Sequence, residues 1–115
     1  MHPKSPKWLE DLIRYCRVIE DAMAGRSEED LRTDLLLRLA VERAFEIVAE
    51  IVNRLERTDL PTVERLTNYR QVIGFRNRVA HGYDAEIDLT KMWGVIIGAL
   101  PVLRREAEAI YAEVE

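Results

Sequence analysis

The residues best suited to chemistry in this chain stand together. Arg76-Asn77-Arg78-Val79-Ala80-His81-Gly82-Tyr83 puts two guanidiniums, an amide, an imidazole and a phenol within one short stretch. Guanidiniums hold phosphate oxygens through paired donors and stay charged at any working pH. Imidazole exchanges a proton near neutrality. An arginine five positions before a histidine, on a helix running into a turn at Gly82, lets one group clamp a phosphate while the other moves a proton on an adjacent oxygen. Such a pair suits cleavage of RNA by its own 2′-hydroxyl, which needs charge stabilisation at phosphorus and proton transfer but no metal. Arg-x4-His also arises by chance, so the spacing alone leaves open a solvated helix end with a hydrogen-bonded histidine.

Charge distribution favours an anionic partner at this place and nowhere else. The 115 residues carry 17 Lys and Arg against 21 Asp and Glu, a net −4, which argues against a protein that coats nucleic acid by bulk electrostatics. Yet the segment from Arg65 to Tyr83 holds no Asp or Glu, and Arg65, Arg70, Arg76 and Arg78 give it +4, leaving −8 for the rest. The single cysteine, Cys16, excludes an internal disulfide, and with two histidines it leaves too few soft ligands for zinc. Asp84-Ala-Glu86-Ile-Asp88 resembles half a calcium loop, but Leu89 stands where the loop glycine belongs, so no metal and no cofactor are expected. The N-terminal residues have no apolar run of the signal-peptide kind, and the longest apolar stretch, Met92 to Leu103, is too short to cross a bilayer. A cytoplasmic location without membrane contact is the expectation.

The elements that must position these groups read as helices. Trp8, Leu9, Leu12, Ile13, Cys16, Ile19 and Met23 recur at three- and four-residue intervals, which predicts a first helix over about residues 6–24, stopped by Gly25. Ser27-Glu-Glu-Asp30 has the form of a capping box opening a second helix near residue 28. From Asp34 to Leu55 that helix is apolar at 14 of 22 positions, with Arg38, Glu42, Glu46, Glu50 and Arg54 forming a narrow polar stripe. So apolar a helix has two surfaces to bury, one in its own core and one against a second subunit, unless it is simply the centre of a bundle. Thr58-Asp-Leu-Pro-Thr62 breaks the pattern, and helical spacing resumes from Val63 to about residue 78. A last helix is expected from Asp88, burying Met92, Trp93, Ile96, Ile97, Leu100, Leu103, Ala107, Ile110 and Val114, with Pro101 kinking it or costing it a hydrogen bond. The charges from Arg104 to Glu115 read as a solvated face with weak ion pairs. No stretch alternates with period two. The predicted fold is one all-α domain over residues 1–115, an up-and-down bundle of four main helices with room for a fifth.

With these residues in view, the chain resembles the HepT-like members of the HEPN superfamily. The likeness rests on Gly74-Phe75-Arg76-Asn77-Arg78-Val79-Ala80-His81-Gly82-Tyr83 followed by Ile87, Asp88 and Trp93, on Ala40-Val41-Glu42-Arg43-Ala44-Phe45-Glu46-Ile47-Val48-Ala49-Glu50, and on Trp8-Leu9-Glu10-Asp11-Leu12. It covers essentially the whole chain. It implies a homodimeric ribonuclease toxin of a toxin–antitoxin pair, neutralised when a cognate minimal nucleotidyltransferase attaches AMP to the motif tyrosine. By position, Arg76 and His81 are then the catalytic pair, Asn77 and Arg78 hold phosphate or orient His81, and Tyr83 is the modified residue. Two departures stand out: Ala49 where related sequences often have glycine, and Asp84 beside Tyr83 where an aromatic is common, which adds negative charge next to the site.

Two further readings accompany this one. Glu46 and Glu50 either orient a motif residue across the bundle or, with Glu42, pair with Arg38, Arg43 and Arg54 along their own helix. The alternative to catalysis is a helical module in which Arg76 and Arg78 bind a nucleotide or a partner's carboxylates and no bond is cleaved.

Overall fold

The computed structural model describes residues 1–79 and 89–114, the last four residues of the first stretch by their backbone alone. Its elements are α1 (Ser5–Met23), α2 (Glu28–Thr33), α3 (Leu35–Thr58), α4 (Leu60–Val63), α5 (Tyr69–Val79), α6 (Leu89–Gly94), a π-helical turn (Val95–Ala99) and α7 (Leu100–Tyr111). No strand occurs among the described residues, and the all-α bundle expected from the periodicity is the observed class.

Helix α3 is the centre, packing against α1 on one side and α5 on another, while α1 also packs along α7. Leu9, Leu12, Cys16 and Ile19 of α1, Phe45, Val48, Ala49, Val52 and Leu55 of α3, and Leu100, Leu103 and Ala107 of α7 have no exposed surface and form one core. Ala49, one of the two departures noted above, is a closely packed core residue. Burial pushes the Cys16 thiol up to about 12, aided by the nearby Glu20, so the thiol stays protonated and unreactive.

The local signals explain most helix ends. Gly25 takes the left-handed conformation with φ +73°, which ends α1 where a side chain would be strained. The capping box is present: the Ser27 hydroxyl accepts from Asp30 N–H at 3.2 Å and the Asp30 carboxylate accepts from Ser27 N–H at 2.8 Å. It opens only a short helix, however, and not the long one expected from residue 28. Thr33 turns its hydroxyl back to the Glu29 carbonyl at 3.0 Å, and Asp34 leaves the helical region to accept from Leu37 N–H at 3.1 Å, starting α3 afresh. Short polar side chains compete with the backbone for hydrogen bonds, and here they win.

Two further expectations need correction. The helix read from Val63 to 78 begins only at Tyr69, because Pro61 sits in the first turn of the separate α4 and the chain then turns before α5. The last helix does bury Met92, Ile96, Leu100, Leu103, Ala107 and Ile110, but Ile97 is 55 % exposed and Val114 37 %. Val95 takes the inward place instead, since it shares the helix face of Met92 and Ala99 while Ile97 lies about 100° beyond Ile96. Pro101 does not sit in an unbroken α-helix. The Leu100 N–H reaches back five residues to the Val95 carbonyl, giving a wider turn just where the proline ring would press on the carbonyl of residue 97.

Among the described residues the buried polar side chains are Ser5, Asp59 and Thr62, and all three belong to one network. A single carboxylate oxygen of Asp59, Oδ2, accepts from Ser5 Oγ at 2.6 Å, Thr62 Oγ1 at 2.7 Å and His2 N–H at 3.0 Å. This network ties the start of the chain to the junction of α3 and α4, a segment whose composition announced only a break. Burial alone would raise the Asp59 pKa, but the hydrogen bonds from Ser5, His2 and Thr62 together outweigh it and hold the carboxyl at about 2. A folded pKa below the unfolded one contributes stability above the unfolded value, and that stability is lost as pH falls through the folded one. We therefore expect about 2 kcal/mol from Asp59 at neutral pH, disappearing between about pH 4 and pH 2. Asp59→Asn should lower the urea-unfolding free energy by about that amount at pH 7 and flatten its pH dependence over this window. Equal slopes for the variant and the parent protein below pH 4 would show that the network does not carry the effect.

Candidate functional site

Helix α5 carries the first residues of the motif, and contacts before and along the helix fix its place. Before the helix, Glu106 of α7 accepts from Thr67 N–H at 3.0 Å and from the Thr67 hydroxyl at 2.7 Å, and Glu113 pairs with Arg65 through two contacts. The carboxy-terminal charges are thus more than a solvated face, because two of them tether the chain that enters α5. Along the helix, Val72 is fully buried and Phe75 nearly so. The Phe75 ring meets Phe45 of α3 edge to face, with centroids 5.2 Å apart and planes at 83°. Arg76, Asn77 and Arg78 come next in the chain, in the last turns of α5. His81 and Tyr83, expected from the resemblance to be catalytic and modified, and the neighbouring Asp84 and Asp88 lie outside the described residues.

The +4 segment is smaller in space than in sequence. Arg65 is engaged with Glu113, which lies well below its usual carboxylate pKa chiefly because of that hydrogen bond. Arg70 lies over the Tyr69 ring, 5.6 Å from its centroid, donates to the Tyr69 hydroxyl at 3.1 Å, and feels Glu56 and Glu64. Both positions precede the middle of α5. Of the four arginines in this segment, Arg65 and Arg70 thus have partners among the described residues, while the side chains of Arg76 and Arg78 lie outside them.

Glu46 and Glu50 show the intrahelical pattern. Arg43 pairs with Glu46 at 3.2 Å, Arg54 with Glu50 at 3.2 Å and, more loosely, Arg38 with Glu42 at 3.9 Å. Partial burial, opposed by Arg38 and aided by Glu46, raises the Glu42 pKa. Glu50 also borders a groove of about 310 Å³ with Trp8 and Tyr15 of α1, on the α1 side of α3.

A larger groove of about 590 Å³ lies beside the motif helix. It is lined by Gln71, Gly74 and Phe75 of α5 and by Lys91, Gly94 and Val95 across the gap. The sequence alone assigned no role to Gln71, Lys91, Gly94 or Val95, although Gln71-Val-Ile-Gly74-Phe75 and Lys91-Met-Trp-Gly94-Val95 share one pattern, a polar residue one helical turn before a glycine and then an apolar residue. No group of three or more His, Cys, Asp or Glu side chains is placed to hold a metal ion among the described residues. No helix among them is long and apolar enough to cross a membrane.

Comparison with known proteins places the chain in a family. The family model described as "Ribonuclease HepT-like" matches residues 12–110, which take in α3, α5 and the whole Arg76–Tyr83 segment. A curated protein of Caldanaerobacter subterraneus subsp. tengcongensis, named "Putative RNase TTE0752", is 25% identical over 108 residues, covering 93% of this chain and 95% of the relative. No solved structure gives a significant match. The chain belongs to the HepT-like ribonuclease family, and its enzyme class is endoribonuclease.

Proposed function

We propose that this protein is the ribonuclease toxin of a toxin–antitoxin pair, cutting RNA without a metal through Arg76 and His81 and silenced by adenylylation of Tyr83. The observation that carries this reading is the Arg76-Asn77-x-x-x-His81-x-Tyr83 motif in the sequence, which begins in the last turns of α5, in a chain of the HepT-like ribonuclease family.

In the proposed reaction the RNA 2′-oxygen attacks the adjacent phosphorus, the bond from phosphorus to the 5′-oxygen breaks, and one proton leaves the 2′-hydroxyl while another is supplied to the departing oxygen. Arg76 offsets the charge that builds on the phosphoryl oxygens, a role for which a guanidinium is suited by its two parallel donors. His81 moves the proton. Asn77 and Arg78 hold the flanking phosphate or orient the imidazole. With one such histidine per chain, a homodimer that brings two motifs together supplies a base from one subunit and an acid from the other. An apolar surface supports association: Leu35, Leu36 and Leu39 at the start of α3 are 55 %, 81 % and 51 % exposed. Glu46 and Glu50, held by Arg43 and Arg54, are assigned to the fold and not to the reaction.

The partner in this scheme is a minimal nucleotidyltransferase that transfers AMP from ATP to Tyr83. The phenolic oxygen bonds to the α-phosphorus and pyrophosphate leaves. The product places a bulky phosphodiester anion two residues from His81, where it blocks entry, repels RNA phosphate and engages the arginines itself.

His81→Ala changes little positive charge near pH 7, so it separates cleavage from binding. We expect the variant to lose growth arrest on expression and to cut RNA at least about 100-fold more slowly, with wild-type cleavage unchanged by chelator. Equal toxicity of the two proteins, or a strict Mg²⁺ requirement, would favour the non-catalytic binding module. Incubation with ATP and the nucleotidyltransferase should add the mass of one or more AMP units to the wild-type chain and none to Tyr83→Phe. An unmodified wild-type chain would mean that the antitoxin acts by occlusion. Because few phosphates meet positive charge at once, log affinity for non-specific single-stranded RNA should fall with log salt with a slope of only about −2. A much steeper slope would reveal a wider basic surface than the motif provides.

A further inference from the structure

We draw no further inference here: the strongest candidate, the groove of about 310 Å³ between α1 and α3 walled by Trp8, Tyr15 and Ile47, carries nothing, because its rim charges are already paired as Lys7 with Asp11 and Arg54 with Glu50 and nothing in the structure shows what covers it.

Discussion

The edge-to-face contact of Phe45 and Phe75 is the constraint on which the site depends. Helix α5 has 11 residues, too few for a helix to persist in water on its own propensity, and one of them is glycine. It exists because α3 offers a surface for Val72 and Phe75, both turned into the core. Arg76 follows Phe75 directly, so the position of the first motif residue is set by where that ring can lodge. The large apolar share of α3 is then understandable: the helix must receive α1 on one face and α5 on another, and a helix with a single apolar stripe could do only one of these. The exposed leucines at its start are the remainder of that excess.

Electrostatics follow from the same arrangement. The acidic groups that make the chain negative are largely spent on internal ties. Glu108 and Glu20 hold Arg104, Glu106 and Glu113 hold the approach to α5, and Asp59 is closed within its own network. Most of these exposed pairs contribute little individually to stability. Their effect is to place charge: they neutralise Arg65 and leave the arginines at the far end of α5 without an acidic neighbour in sequence.

The sequence was most legible where one local rule acted alone. Gly25, the Ser27–Asp30 box and the spacing of α1 were readable because helix start, stop and apolar face are local properties. The family was readable for a different reason, since Arg76, Asn77, His81 and Tyr83 stand in the sequence as a set that resembles the HepT-like pattern. Reading failed where a side chain had two uses. Asp34 could have continued a helix but caps a new one, and Asp59, inside an evident break, proves to be the buried acceptor that fastens residues 2, 5 and 62. Which partner an aspartate chooses depends on groups distant in sequence, and no window of neighbours reports them. The groove escaped for the opposite reason. Gln71-x-x-Gly74 and Lys91-x-x-Gly94 are each unremarkable, and they line a groove only because the fold sets one against the other.

That juxtaposition depends on the π turn. Helix α6 must lie against α2, where Met92 is buried and Arg32 reaches the Thr90 hydroxyl at 2.8 Å, whereas α7 must lie along α1. An unbroken α-helix keeps one face toward one neighbour along its length, and two neighbours in different directions are hard to serve. A turn closed five residues apart holds about one extra residue, which rotates everything before it by about 100° relative to everything after. The turn at Val95–Ala99 therefore lets Lys91 and Gly94 face α5 while Leu100 and Leu103 remain in the core. Pro101, which cannot donate to the ladder and crowds the carbonyl four residues back, favours the wider turn at this point and no other. A residue that reads in the sequence as a defect of the last helix is, in the fold, what sets the register of the helix that returns from the motif.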